Sequence, residues 1–280
     1  MTPTADYLLI GHVAHDETSQ GPKLGGTVSY SGSAANALGA RVAIVTSAQK
    51  DEVVLASLPK AMQIHLIEAP ESTVFVNTYV GDKRRQELRQ RAATLSFADI
   101  PDVWHDVPIV HLGPLDDEVD PNLVDAFPSS LVAATPQGWM RTWDSEGVIY
   151  PKRWEQAEQM LPRLGVTVFS VEDIHHDTAL EAHYASLSPL LIVTRGPKGC
   201  TVYQRGVDPL HVPAPSVTVV DATGAGDVFT GIFLVIYQRT QDVRRAAEIA
   251  TQLASFSVTR VGLQGIPTPD EIRAVIGAAS

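Results

Sequence analysis

Val217-Thr218-Val219-Val220-Asp221-Ala222-Thr223-Gly224-Ala225-Gly226-Asp227-Val228-Phe229-Thr230-Gly231 joins a β-branched run to an apolar segment through a glycine-rich turn. The β-branched run Val217–Val220 predicts a strand, the glycines that follow predict a turn, and Val228–Tyr237 predicts an apolar helix opened by that turn. Main-chain N–H groups of Gly224, Ala225 and Gly226 are expected to converge at the helix N-terminus, where unpaired donors and the helix dipole favour an anion. Larger side chains would hold a phosphate away from those donors. Asp227 beside them has two readings: a plain N-cap, or a base that accepts the proton of an attacking hydroxyl while the N–H groups hold a phosphoryl group.

Competing motifs do not fit. A dinucleotide fingerprint needs glycine where Phe229 stands, and Gly196-Pro197-Lys198-Gly199 lacks both the spacing and the Lys-Ser/Thr pair of a Walker A loop. There is no Gly-x-Ser-x-Gly elbow.

Outward from this stretch, short apolar runs alternate with helical patterns. Strands are predicted at Tyr7–Val13, Arg41–Ser47, Gln63–Ile67, Ile109–Leu112, Leu131–Thr135, Val166–Ser170, Leu190–Thr194 and Cys200–Gln204. Helices are predicted at Val28–Leu38, Glu52–Met62, Lys152–Leu161, Thr178–Ser186, Val228–Tyr237, Val243–Arg260 and Pro269–Ala278. The alternation implies an α/β fold, a doubly wound and mainly parallel sheet flanked by helices. Thr73–Val80 alternates and Gly81-Asp82 offers a turn before Arg84–Arg91, which reads as a hairpin with one wet face. Together with the polar segment His15–Leu24 it predicts a small β lid, residues 13–25 and 72–92, on a single domain spanning 1–280. The lid is expected over the carboxyl ends of the main strands, where open α/β sheets bind ligands. Small residues in the first helix (Ser29, Ser31, Gly32, Ser33, Ala34, Ala35) allow close approach of either another helix or a ligand.

A formal net charge of −11 disfavours a nucleic-acid partner. A single cysteine, Cys200, allows no intrachain disulfide and fits a reducing compartment. The N-terminal apolar run Tyr7–Ile10 is far too short for a signal peptide or a membrane span, so the cytoplasm is the default expectation. His12 and His15 stand three apart and face opposite sides of a strand, which argues against a shared metal ion. Trp139, Trp143 and Trp154 read as core or cleft walls, and His175-His176 as the approach to a helix.

Asp221-Ala222-Thr223-Gly224-Ala225-Gly226-Asp227 resembles the C-terminal signature of the ribokinase-like (PfkB) family of carbohydrate and nucleoside kinases, with Ala222 where a second threonine is usual. The resemblance runs in order along nearly the whole chain. Gly11 followed by Asp16 is similar to the family's first strand and substrate-binding aspartate, Gly25-Gly26 to the paired glycines where the sugar lies, and Thr194–Gly199 to the loop that contacts nucleotide phosphates. It implies phosphorylation of a small sugar or polyol hydroxyl by ATP with Mg²⁺, with Asp227 as base and Gly224, Ala225 and Gly226 as the anion hole. It also implies that Ser170, Thr194, Gly196, Lys198 and Gly199 serve the nucleotide. Asp221 lies where some relatives hold a monovalent cation, and a lid of this kind can pair with its twin in a homodimer.

Two departures stand out. Tyr30 replaces an asparagine that often bonds substrate hydroxyls, and Ser170-Val171-Glu172-Asp173 replaces an Asn-x-x-Glu associated with Mg²⁺ and phosphate, leaving Asp173 to hold a metal-bound water. Together with Thr135–Arg141, and with Asn77, Tyr79 and Arg84-Arg85-Gln86, they resemble a branch that includes myo-inositol kinases. Arg141 either stabilises a transferring phosphoryl group or binds a substrate oxygen, or else forms a surface ion pair with Asp144 or Glu146. Asn77 and Arg85 could close over a polyol, and Asp16 either accepts substrate hydroxyls or is an exposed turn residue. Replacement of two expected ligand groups leaves open a catalytically weak sensor of nucleotide or sugar, and the resemblance also allows a nucleoside kinase of the same family.

Overall fold

The structure is a computed structural model that describes residues 4–18, 21–80 and 83–278. Its elements run β1 (Tyr7–Ile10), β2 (Ala14–Thr18), β3 (Gly21–Gly25), α1 (Thr27–Ala37), β4 (Val42–Ala48), β5 (Gln63–Glu68), β6 (Val74–Val80), β7 (Lys83–Gln90), β8 (Ile109–Leu112) and β9 (Leu131–Ala134). Then follow β10 (Arg141–Trp143), β11 (Ile149–Pro151), α2 (Ala157–Met160), β12 (Val166–Ser170), α3 (Thr178–Leu187), β13 (Leu190–Thr194), β14 (Cys200–Gln204), β15 (Leu210–Val212), α4 (Ala225–Thr240), α5 (Val243–Ser257) and α6 (Pro269–Ala278).

Nine strands form one sheet in the order β15-β14-β13-β12-β9-β8-β1-β4-β5. The seven from β13 to β5 are parallel, and β14 and β15 add an antiparallel edge. The two-residue period of a strand explains its two cores. Tyr7, Leu9, Val42, Ile44, Leu190 and Ile192 point to one face, where α1, α4 and α5 pack. Leu8, Ile10, Ala43, Val45, Leu191 and Val193 point to the other, against Trp139, Trp154 and Tyr184. Both faces are covered, as a doubly wound sheet requires. The small residues of α1 fit a close helix crossing: a Cβ on Gly231 of α4 would lie 2.4 Å from the Ser31 carbonyl oxygen.

A second sheet, β3-β2-β6-β7, stands apart from the first. It has its own small core of Ala14, Phe75, Leu88 and Leu115. The Gly81-Asp82 turn expected between β6 and β7 lies outside the described residues. No described helix is long and apolar enough to cross a membrane.

Three expected elements take another form. Glu52–Met62 is not a helix: only Val53–Ser57 forms a 3₁₀ turn, because Leu58 is extended (ψ 149°) ahead of Pro59, which disfavours helical backbone in the residue before it. Lys152–Leu161 shortens to the single turn α2, as Trp154 is drawn into the core and stacks on Trp139 at 5.5 Å between ring centroids. Val217–Val220 is not a strand. Pro213 and Pro215 lack ladder donors, and the segment is held instead by Val220 N–H donating to the Val258 carbonyl at 2.7 Å.

Candidate active site

A cavity of about 830 Å³ opens where the carboxyl ends of the parallel strands meet the small sheet. Its walls include Asp16, Gly25, Gly26, Thr27 and Tyr30 at one end, and Gly224, Ala225, Gly226 and Asp227 in the middle. Pro215, Val217, Val219, Val220, Thr251, Ala254 and Val258 line the other end. Ser170, Asp173, Thr194, Gly196, Gly199, Asp221 and Arg141 also face it.

Gly224 caps α4 in the left-handed region (φ 73°), a conformation glycine adopts without steric cost. The turn folds tightly, with Ala225 N–H reaching the Ala222 carbonyl at 3.3 Å. A Cβ on Gly224 would sit 2.3 Å from the Tyr30 ring, so Tyr30 fills the space under the turn. A Cβ on Gly226 meets nothing within 4 Å, so the first turn of α4 faces open space at Gly226, while the Ala225 N–H is engaged within the turn. Asp227, one residue further, is half-buried. Burial pushes its carboxyl up to about 6; a Thr27 hydrogen bond opposes this, the Asp173 charge adds to it, and Arg141 again opposes it. Its own carbonyl accepts from Ser31 Oγ at 2.8 Å, tying α4 to α1.

Asp16 sits on β2 opposite Lys23 of β3, and a Cβ added to Gly25 of the same strand would lie 3.4 Å from Asp16 Oδ2. Asn77 on β6 donates to Asp16 Oδ1 at 2.6 Å. Asn77 therefore supports Asp16 and is not itself among the residues lining the cavity. Arg85 is not among them either: it lies 3.2 Å from Glu87 and 3.9 Å from Glu146, half exposed. Strand alternation is the reason. Arg85, Glu87 and Arg89 share one face of β7 and pair there, while Gln86 and Leu88 turn inward, Gln86 onto the cavity and Leu88 into the small core. Lys198 is exposed and lies outside the wall, whereas Thr194, Gly196 and Gly199 of the same loop line it. That loop is anchored from behind: Arg195 binds Glu181 and donates from Nε to Thr201 at 2.8 Å, and Tyr203 also donates to Glu181.

Asp173 is oriented by the Ser170 N–H at 2.8 Å and Gln137 Nε2 at 3.2 Å. Asp221 accepts Thr223 N–H at 2.9 Å and Gly262 N–H at 3.0 Å. Burial works against its ionisation, but these bonds and Lys23 hold it below the usual carboxylate range. Arg141 begins β10 and faces the cavity. The Asp144 offered as its surface partner is satisfied by Glu146 N–H, Val148 N–H and the Tyr150 hydroxyl.

His15, Phe75, Gln86, Leu115, Thr135 and Gln137 complete the wall near Asp16 and Arg141. Gln86 had a signal in the alternation of β7, and Thr135 and Gln137 in the singled-out segment Thr135–Arg141; the others have no signal of their own and are brought in by tertiary packing. A buried group missed entirely is the trio His12, Asp116 and Glu118, whose ligand-type atoms lie within 4.8 Å of one another.

Comparison with known proteins places these features. Residues 116–271, which include Arg141, Asp173, the Thr194–Gly199 loop and the Gly224–Asp227 turn, match the model of the pfkB family carbohydrate kinases. Over 74 residues the chain is 45% identical to a deoxyribokinase of Salmonella typhi, a stretch covering 26% of this chain and 24% of that protein. The chain thus aligns with about a quarter of that relative's length. A pyrophosphate-dependent kinase in the ribokinase family, complexed with a pyrophosphate analogue and myo-inositol, superposes with a TM-score of 0.81 at 20% identity, over 97% of this chain and 99% of the other. Arabidopsis thaliana ribokinase complexed with ribose and ATP superposes with a TM-score of 0.73 at 14% identity, over 98% and 99%. These likenesses show the ribokinase-like fold, and since the family model spans more than half of the residues, the chain belongs to the pfkB family of carbohydrate kinases.

Proposed function

We propose that the chain transfers the terminal phosphoryl group of ATP to a hydroxyl of a small sugar, cyclitol or related polyol, with Asp227 as the base. One observation carries this reading: the Asp227 carboxylate and the open first turn of α4 share a cavity with Asp16 at one end and an apolar slot at the other. Asp227 takes the hydroxyl proton, a role suited to a carboxylate raised to about 6 and so ionised near neutral pH. Thr27 lines the cavity with it and favours its ionised form. The N–H groups of Gly224, Ala225 and Gly226 hold charge on the phosphoryl oxygens, and Arg141 adds a cation on the same side. Asp16, held by Asn77, accepts acceptor hydroxyls beside Gly25, Gly26 and Tyr30. Two carboxylates at this end, Asp16 and Asp227, disfavour an anionic acceptor.

The donor is assigned to ATP because the cavity wall that includes Val217, Val219, Val220, Ala254 and Val258 is apolar, as the face of a purine favours. Val219 and Val220 are 58% and 59% exposed there, with Ala254 and Val258 opposite. Ser170, Thr194, Gly196 and Gly199 would line the phosphate path, with Lys198 at its rim. The carboxylates Glu172 and Asp173 offer the hard oxygens that suit Mg²⁺, Asp173 through water; the ion supplies charge neutralisation on the phosphates. Asp221 is a candidate for a monovalent cation. The small sheet acts as a lid, and a homodimer through it and a cytoplasmic location belong to the same proposal.

The test is a turnover screen of ATP and pyrophosphate against cyclitols including myo-inositol, pentoses, hexoses and nucleosides, with product read by phosphorus NMR. Transfer from ATP to a polyol is expected. Transfer from pyrophosphate alone would refute the donor assignment, transfer only to nucleosides the acceptor class, and ATP binding without any transfer would make the chain a sensor.

A further inference from the structure

The chain passes between the large sheet and the lid four times, at residues 11–13, 25–26, 69–73 and 91–93, and all four crossings meet at the fully buried His12. His12 Nδ1 lies 2.7 Å from Thr73 Oγ1, and Nε2 lies 2.7 Å from the Ala93 carbonyl oxygen. Its own carbonyl oxygen packs on Gly26, where a Cβ would approach to 2.7 Å. From the large sheet, the loop after β8 brings Glu118 to accept His12 N–H at 3.0 Å and Asp116 Oδ1 to 3.5 Å from Nδ1. Arg91 Nε lies 3.6 Å from the same Oδ1.

With Asp116 ionised, as the neighbouring His12 and Arg91 favour, counting hydrogens assigns the state of the ring. The Ala93 carbonyl can only accept, so Nε2 carries a hydrogen. Thr73 Oγ1 accepts Ala92 N–H at 3.1 Å and lies 3.3 Å from Asp116 Oδ2, with one hydrogen to give. A neutral His12 would consume that hydrogen at Nδ1 and leave Asp116 facing two lone pairs in the interior, a costly arrangement. An imidazolium instead donates to Thr73, which donates to Asp116, and its charge faces Oδ1 alongside Arg91. The trio does not suit a metal ion: both His12 nitrogens are engaged, and Glu118 already accepts the N–H groups of His12, Leu115 and Asp116.

We infer that His12 is a positioning residue of the acceptor site: as an imidazolium paired with Asp116 it pins the root of the lid, and so fixes Asp16 and Gly25 relative to the large sheet. This rests on the lid reading proposed above. Burial alone pushes the His12 pKa down, but Glu118 and then Asp116 outweigh it and the net direction is up. The charged groups facing His12 are Asp116 and Glu118 from the loop after β8 and Arg91 from the exit of β7. The sign follows from linkage: closure binds the proton, so the lid is held fully below the ordinary histidine pKa of 6.5 and loosens as pH rises through the elevated value.

Histidine-labelled protein read by NMR, together with hydrogen exchange of the β6 and β7 peptides, tests this without any turnover, so a wrong kinase assignment would not obscure the result. His12 should be an imidazolium at pH 7, its signal identified by its loss in His12→Gln. Read in Glu118→Gln, which removes the second titrating group, lid protection factors should be flat below pH 6.5, fall by up to about tenfold per pH unit to the His12 midpoint, and be flat above it. Glu118, pushed up to about 7 by burial and then by Asp116, titrates nearby, so the fall should persist in Glu118→Gln and vanish in His12→Gln. With an acceptor from the screen, its KM should follow the same curve while kcat does not. A neutral His12 at pH 7 in the wild-type protein, or lid protection indifferent to its titration, would overturn the inference even if the variants fail to fold.

Discussion

Asn77 and Asp16 are joined by a 2.6 Å hydrogen bond across the parallel pairing of β2 and β6, so one strand of the small sheet aims the carboxylate that the other carries. Losing a hydrogen bond to a charged group costs about 1.5–3 kcal/mol, which is roughly 10- to 100-fold in affinity. Asn77→Ala should raise the acceptor KM within that range and change the ATP KM little. Steady-state kinetics with each substrate varied in turn checks this, and an equal loss on both would show that Asn77 does not act through Asp16.

The turn before α4 depends on Gly224. Its φ of 73° strains any other residue, and a Cβ would lie 2.3 Å from the Tyr30 ring. Gly224→Ala should cost at least about 1–2 kcal/mol from the left-handed backbone alone and displace the first-turn N–H groups. A lower Tm and weaker ATP binding by calorimetry are both expected, whereas Tyr30→Phe, which keeps the ring, should leave both near wild type.

Gly147 ties the β10–β11 hairpin, which carries Arg141, to the small sheet. Leu88 N–H donates to the Gly147 carbonyl at 2.8 Å, and a Cβ on Gly147 (φ 81°) would stand 2.3 Å from the Leu88 carbonyl oxygen. Gly147→Ala should part this seam and raise the acceptor KM by roughly tenfold, as expected for about 1.4 kcal/mol, with donor binding unaffected. Parallel titrations of ATP and acceptor distinguish this from general unfolding.

Much of this architecture can be read from the chain, for physical reasons. Runs such as Leu190–Thr194 are apolar on both faces because the sheet is covered on both, and the turn before α4 announces itself because the backbone at Gly224 leaves no room for a Cβ. What escapes is whatever depends on tertiary partners. Nothing local distinguishes Val53–Ser57 from a helix except Pro59 downstream, and the wall position of Gln86 rather than Arg85 requires the register of β7. The trio of His12, Asp116 and Glu118 is assembled from sites more than a hundred residues apart, by packing that no spacing rule encodes. Conversely, Val217–Val220 has strand composition, yet its valines line the cavity instead of joining a ladder.

Asp227 should cost the fold stability. A half-buried carboxyl whose pKa is raised from 3.8 to about 6 contributes fully below 3.8, and that contribution is lost as pH rises through 6. Asp227→Asn removes this penalty, so its Tm should exceed that of the wild-type protein increasingly from pH 4 to 6 and by a constant margin above, equivalent to at most about 3 kcal/mol. Thermal melts across that range check it; equal melting curves at pH 8 would show that the carboxylate is better solvated than its surroundings suggest.

Turnover of Asp227→Asn, measured beside its ATP dissociation constant, bears most directly on the assignment. The chemistry assigned to the carboxylate predicts a fall of about 10²- to 10⁴-fold in kcat, nearly unchanged ATP affinity, and a wild-type kcat/KM that drops tenfold per pH unit below about 6. A variant that turns over at a rate close to wild type would contradict it.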